Sequence, residues 1–143
     1  MVQLEPFDVV GIEARTSFSR EKEPGGVIPG LWERFMKEVH RGGEIIGLYT
    51  DYASDEYGEY TLTLGTRAAT DAAVPAGMVL KHVPASRYAV FASEPGPVPH
   101  IVIDTWKRIW EEPRTADYQR SYSADFEVYG AADSPLEIYI GVK

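Results

Sequence analysis

The period of apolar and polar positions changes several times along the chain, and each change marks an element. Phe7 to Thr16 (FDVVGIEART) carries β-branched residues around Gly11 and reads as a strand. Glu23 to Gly30 (EPGGVIPG) interrupts it with Gly and Pro. Leu31, Trp32, Phe35, Met36 and Val39 then recur on one helical face, up to Arg41 and the Gly42-Gly43 stop. Glu44 to Tyr52 and Glu59 to Thr66 read as strands joined by the polar turn Ala53 to Gly58, which predicts an antiparallel hairpin.

After a connector containing Pro75, Gly77 and Pro84, with a short extended stretch at Met78 to Val83, the same order begins again. Ser86 to Ser93 is a strand and Glu94 to Pro99 a second Gly/Pro loop. Val102, Trp106, Ile109 and Trp110 mark a helical face that stops before Pro113. Arg120 to Tyr129 and Leu136 to Val142 form the second hairpin around a turn at Gly130 to Pro135. Trp32 and Trp106 occupy equivalent helical turns, and Thr61 to Gly65 (TLTLG) matches Glu137 to Gly141 (EIYIG). The pattern predicts an α+β fold of two β-α-β-β modules related by a pseudo-two-fold axis, with a binding cleft at that axis. Module one covers about 1–66, the connector about 67–84 and module two about 85–143, together a single domain.

Composition narrows the chemistry. The 143 residues include no cysteine, which removes disulfides, thiolate catalysis and cysteine-bound zinc. The net charge is −8 and the 14 basic residues form no continuous patch, so direct nucleic-acid binding is not expected. No apolar run is long enough to span a bilayer and the amino terminus lacks a secretory pattern, so a cytoplasmic location without membrane attachment is the default expectation. The acidic turn with Asp51, Asp55, Glu56 and Glu59 lacks calcium-loop spacing, and His40, His82 and His100 fit no zinc pattern. His40, near a helix end, reads as a partner of the helix dipole. No nucleophile elbow, Walker loop or dinucleotide fingerprint occurs. No metal, no cofactor and no catalytic residue is assigned.

In order along the chain, VVGIEAR (Val9 to Arg15), IPGLWERF (Ile28 to Phe35), GLYTDYASDEYGEYTLTLG (Gly47 to Gly65), VPAGM (Val74 to Met78), VPASRYAVF (Val83 to Phe91), DFEVY (Asp125 to Tyr129) and EIYIGV (Glu137 to Val142) resemble the GyrI-like, AraC-type effector-binding domains. The resemblance implies a duplicated module with an eight-stranded or similar antiparallel sheet, helices on one side and a ligand groove on the other. It also implies lipophilic, cationic ligands and a glutamate in the next-to-last strand, matched here by Glu127. Gly141 departs from the family, many of whose members carry proline in the last strand. Regulators of the family place a helix-turn-helix domain ahead of this one, whereas this chain starts at the first effector-domain strand and so resembles the stand-alone members.

Alternation places Phe126 and Val128 on one face of their strand and Glu127 and Tyr129 on the other. Ile138, Ile140 and Val142 read as the helix-packed face, which sends Tyr139 to the Glu127 side. Leu48, Leu62 and Leu64 read as core, leaving Tyr49, Asp51 and Thr63 opposite. Tyr88 is chosen over Phe91, which has the other parity. The candidate ligand-binding residues are therefore Glu127, Tyr49, Tyr88, Trp106, Tyr129 and Tyr139. Taken on the residues alone, Glu127 reads more readily as a solvated strand residue paired with a neighbouring Lys or Arg, and the resemblance reverses that preference. A carboxylate among aromatic faces would instead form a cation cage.

The leading functional reading is a stand-alone effector-binding or sequestering protein for a small lipophilic cation. Two others use the same sequence differently. One is a hydrolase of electrophilic cyclopropane-type toxins, with Glu127 activating water and a tyrosine as donor. The other is a gyrase-inhibitor-like module for a protein partner.

Overall fold

The computed structural model describes residues 2–22, 25–39, 44–54, 58–68, 74–93, 100–111, 120–130 and 136–143. Several expected features lie outside them: His40, the Gly42-Gly43 stop, Asp55 and Glu56 of the acidic turn, the Glu94 to Pro99 loop and most of the last hairpin turn. The side chains of Trp110 and His100 do as well.

The strands are β1 (Val2–Leu4), β2 (Phe7–Ser17), β3 (Ile45–Thr50), β4 (Glu59–Ala68), β5 (Val79–Val83), β6 (Ser86–Ala92), β7 (Arg120–Tyr129) and β8 (Glu137–Val142). Two short helices, α1 (Phe18–Lys22) and α2 (Ile28–Arg34), follow β2, and α2 continues into a π-helical turn at Phe35–Val39. The long helix α3 (His100–Glu111) follows β6. The α2 amino terminus has no capping side chain of its own; Glu21 accepts the Val27 and Ile28 backbone N–H groups at 3.0 Å each and so satisfies donors that the helix leaves open.

All eight strands form one antiparallel sheet in the order β1-β6-β8-β7-β3-β4-β2-β5. Exchanging the modules, β1 with β5, β2 with β6, β3 with β7 and β4 with β8, reverses this order onto itself. The strand ahead of the long strand of each half crosses to the outer edge of the other half: β1 pairs with β6, and β5, which lies in the connector, pairs with β2. The pseudo-two-fold axis runs between β3 and β7, at the pair Leu48 and Phe126. Strand β1, only three residues long, has no periodic pattern to announce it and was not expected.

Register fixes the faces. Ile12, Leu64, Gly47, Glu127, Ile138 and Phe91 are successive cross-strand partners and share one face of the sheet. Leu31 and Phe35 pack on the β2–β4 part of this face, while Val102, Trp106 and Ile109 of α3 pack on the β6–β8 part. The opposite face carries Val9, Ile46, Leu48, Tyr88, Phe126 and Val128, with Tyr139 against them. Three expectations are corrected here. Leu48 pairs with Thr63, so it lies opposite Leu62 and Leu64 rather than beside them. Glu127 pairs with Ile138 and stands on the helix-bearing face. Tyr88 and Tyr139 stand on the other one.

Candidate functional site

Glu127 is 2 % exposed at the centre of the sheet, where β7 meets β3. Its cross-strand neighbour is Gly47, and a Cβ built there would come within 2.8 Å of Glu127 Oε1. The missing side chain is what gives the carboxylate its place. Gly47→Ala is expected to leave the melting temperature nearly unchanged, because the obstructed atom ends a flexible side chain, yet to push that carboxylate off its donors, the Trp106 indole among them. Thermal unfolding and the tryptophan emission of the one variant check both halves.

Three neutral groups donate to Glu127. The Trp106 indole N–H reaches Oε2 at 2.7 Å, the Tyr129 hydroxyl reaches Oε1 at 2.8 Å, and the Tyr49 hydroxyl also bonds to the carboxylate. Burial pushes the Glu127 carboxyl above the ordinary glutamate range, and these hydrogen bonds pull back against it. Burial, reinforced by the Glu127 charge, holds the Tyr49 and Tyr129 hydroxyls well above the usual tyrosine value, so both remain protonated donors. No cationic side chain among the described residues forms an ion pair with Glu127.

Aromatic rings surround the acid. Trp106 meets Tyr49 edge-on at 5.5 Å and Trp32 meets Tyr129 edge-on at 5.0 Å, so each module supplies one tryptophan. Tyr60 lies 5.4 Å from Tyr49, and Tyr52 6.1 Å from Tyr60. Of the six candidates read from sequence, Glu127, Tyr49, Trp106 and Tyr129 are brought together. Tyr88 and Tyr139 are not: Tyr139 stacks on Phe126 at 4.5 Å and Tyr88 packs on the same ring edge-on, both across the sheet from the acid. Trp32, Tyr52 and Tyr60, which are not among the six, join the same cluster of rings. The Trp32–Trp106 equivalence could have indicated the first, and the tyrosine content of the hairpin tip the other two.

Asp125, two residues before Glu127 on the same face, has no exposed surface. Arg120 Nη2 donates to it at 2.8 Å, the Gly141 N–H at 2.8 Å, and the Tyr52 hydroxyl donates as well. A bulge in β7 makes this possible. Arg120 pairs with Val142 but Asp125 with Ile140, so the intervening residues loop out, with Tyr122 at φ 52° and Arg120 over its ring at 4.5 Å. A proline at Gly141 would remove the N–H that Asp125 accepts. The departure from the family pattern noted in the sequence therefore has a local partner.

This fold, with a buried acid where the two modules meet, defines a GyrI-like effector-binding domain. The chain belongs to the Cass2 family of integron-associated effector binding proteins, whose model matches residues 1–142. It is 34% identical over 146 residues to YobU of Bacillus subtilis (strain 168), named as a transcriptional regulator, covering 93% of this chain and 90% of that one. It is 36% identical to the transcriptional regulator BrlR of Pseudomonas aeruginosa, covering 99% of this chain but 54% of the longer protein. Among solved structures it is similar to an integron cassette protein from the mobile metagenome of Vibrio cholerae, at 29% identity and a TM-score of 0.82, covering 99% of this chain and 94% of that one. It also shares its fold with a protein solved bound to tetraphenylphosphonium, at 21% identity and a TM-score of 0.79, covering 99% and 92%. No helix among the described residues is long and apolar enough to cross a membrane.

Proposed function

We propose that the chain binds a lipophilic cation at the Glu127 cluster as an effector-binding or sequestering domain. The observation that carries this reading is a buried carboxylate whose partners among the described residues are all neutral donors. Such an acid keeps its charge uncompensated, and a hydrophobic cation entering between the aromatic rings would supply the missing counter-charge. The ring faces of Trp106, Tyr49, Trp32 and Tyr129 would add about 0.5–2 kcal/mol each wherever the cation sits over one of them. Tetraphenylphosphonium bound to a protein of the same fold supports this choice of ligand class.

The test is a titration of the purified protein, followed by tryptophan fluorescence, with tetraphenylphosphonium and with an uncharged compound of the same shape. Saturable quenching by the cation, with at least tenfold weaker response to the neutral compound and the ligand recovered unchanged, is the expected result. Equal response to both would remove the role given to Glu127. A ligand recovered chemically altered would replace the binding reading with the hydrolase one.

A further inference from the structure

A second acid borders the ring cluster. Glu21, near the end of α1, is half-buried, and its carboxylate accepts the Thr16 hydroxyl together with the Val27 and Ile28 N–H groups. All three donors are neutral, and no ion pair to Glu21 forms among the described residues; the adjacent Arg20 lies 3.9 Å from Glu59 instead. Two of the donors tie Glu21 to the site. Thr16 is the direct cross-strand partner of Tyr60, and Ile28 packs in the same apolar cluster as Trp32, Tyr49, Tyr60 and Tyr129. Tyr60 thus stands between two acids, with its ring 5.4 Å from that of Tyr49, which bonds to Glu127. Burial first, then the charges of Glu21 and Glu127, push the Tyr60 hydroxyl up to about 12. A glycine makes room for each carboxylate: a Cβ on Gly26 would come within 2.6 Å of Glu21 Oε1, as one on Gly47 would come within 2.8 Å of Glu127 Oε1. The other strand acids described on this face, Asp8 and Asp125, already contact His82 and Arg120.

We infer that the site has two anionic poles and prefers an elongated lipophilic dication, one charge against Glu127 and the other against Glu21, to the matching monocation. The inference rests on the lipophilic-cation reading above and extends it. The poles differ in depth. Glu127 is 2 % exposed, whereas Glu21 and Tyr60 are half-buried, so one cationic head sits deep and the second at the rim. Three strand spacings and four residues separate Glu127 from Thr16, roughly 19 Å between Cα positions on a flat sheet, and the side chains reach inward from both ends. The Tyr49 and Tyr60 rings lie along that path, where an apolar linker leaves water. A quaternary head suits the outer pole. The Glu21 oxygens are already hydrogen-bonded, and what remains for the ligand is their charge, which a head without N–H groups can meet while the α2 donors stay in place. Once one head is bound, the second pairing is intramolecular, provided that the linker spans both acids.

Dequalinium provides the test, since it joins two quinaldinium heads by a decamethylene chain, and its one-headed N-decyl analogue keeps the ring and the chain. Isothermal titration calorimetry of the wild-type protein is expected to give one dequalinium per chain, bound at least tenfold more tightly than the one-headed compound. A dication with a trimethylene linker, too short to reach both acids, should lose that advantage. In Glu21→Gln the preference for dequalinium is expected to fall below threefold. If that variant does not fold, the linker comparison in the wild type decides alone, because general attraction to a chain of net charge −8 favours short and long dications alike. Dequalinium binding no more tightly than the one-headed compound, an advantage independent of linker length, or an unchanged preference in a folded Glu21→Gln protein would each overturn the second pole. Failure of tetraphenylphosphonium and the one-headed compound to bind at all would instead remove the lipophilic-cation reading itself.

Discussion

Replacing Glu127 by glutamine is expected to weaken tetraphenylphosphonium binding roughly 30- to 150-fold, the equivalent of about 2–3 kcal/mol for losing one charge of a buried pair, while making the unliganded protein more stable at neutral pH. Both effects come from the same burial. Glutamine keeps an oxygen for the Trp106 N–H, and its amide can donate to the Tyr129 hydroxyl, which rotates to accept; only the charge is lost. The Glu127 carboxyl is held above its ordinary range mainly by burial. The folded state therefore holds this proton more tightly than the unfolded chain does. The wild type draws full benefit from that proton below the ordinary glutamate pKa and loses it as pH rises through the higher folded value. The variant has no such loss, so its melting temperature should exceed that of the wild type at pH 8, and the gap should close near pH 4. Cation affinity of the wild type should run the other way, rising with pH through the folded value and then levelling off. Differential scanning calorimetry and titrations at several pH values measure both. An E127Q protein less stable than wild type at pH 8 would mean that the three hydrogen bonds outweigh the cost of burying the charge, and the site would then be complete without a ligand.

The sequence carried the duplication clearly, and with it more of the site than alternation alone could extract. Matching TLTLG to EIYIG makes Leu62 the counterpart of Ile138 and Leu64 that of Ile140. Their observed cross-strand partners then make Tyr49 the counterpart of Glu127, and Gly47 that of Asp125. The duplication has thus diverged at its centre, where one module supplies a tyrosine and a glycine and the other two acids. Alternation failed at the faces for a physical reason. Ile46, Leu48, Phe126 and Val128 are buried on one side of the sheet, and Leu62, Leu64, Ile138 and Ile140 on the other. When both faces are apolar, parity within a strand does not say which residues of the next strand share its side; only register does, and a slip of one residue inverts the answer. Tyr139 was lost from the site in this way. The Arg120–Asp125 contact was hidden differently, because it depends on a bulge that breaks the two-residue period between them.

That contact also predicts the largest change in stability. Arg120→Gln is expected to destabilise the protein by about 3–5 kcal/mol, the usual consequence of leaving one member of a buried ion pair alone. Asp125 has no exposed surface, and its other donors, Tyr52 and the Gly141 backbone, are neutral. The double variant Arg120→Gln/Asp125→Asn should recover most of that loss. Its asparagine oxygen can still accept from Gly141, its amide can meet the Tyr52 hydroxyl, and no charge remains to be desolvated. The wild-type pair is not ideally bonded, since Arg120 Nε has no hydrogen-bond partner among the described residues, which further limits what the double variant gives up. Denaturant unfolding of wild type, the two single variants and the double variant forms a complete cycle. A large coupling energy, with the double variant close to wild type, would mark the pair as one whose cost lies in breaking it. If instead the double variant were as unstable as Arg120→Gln, the guanidinium would matter chiefly through its packing on Tyr122, and the bulge, rather than the charge pair, would be what holds this end of β7 in place.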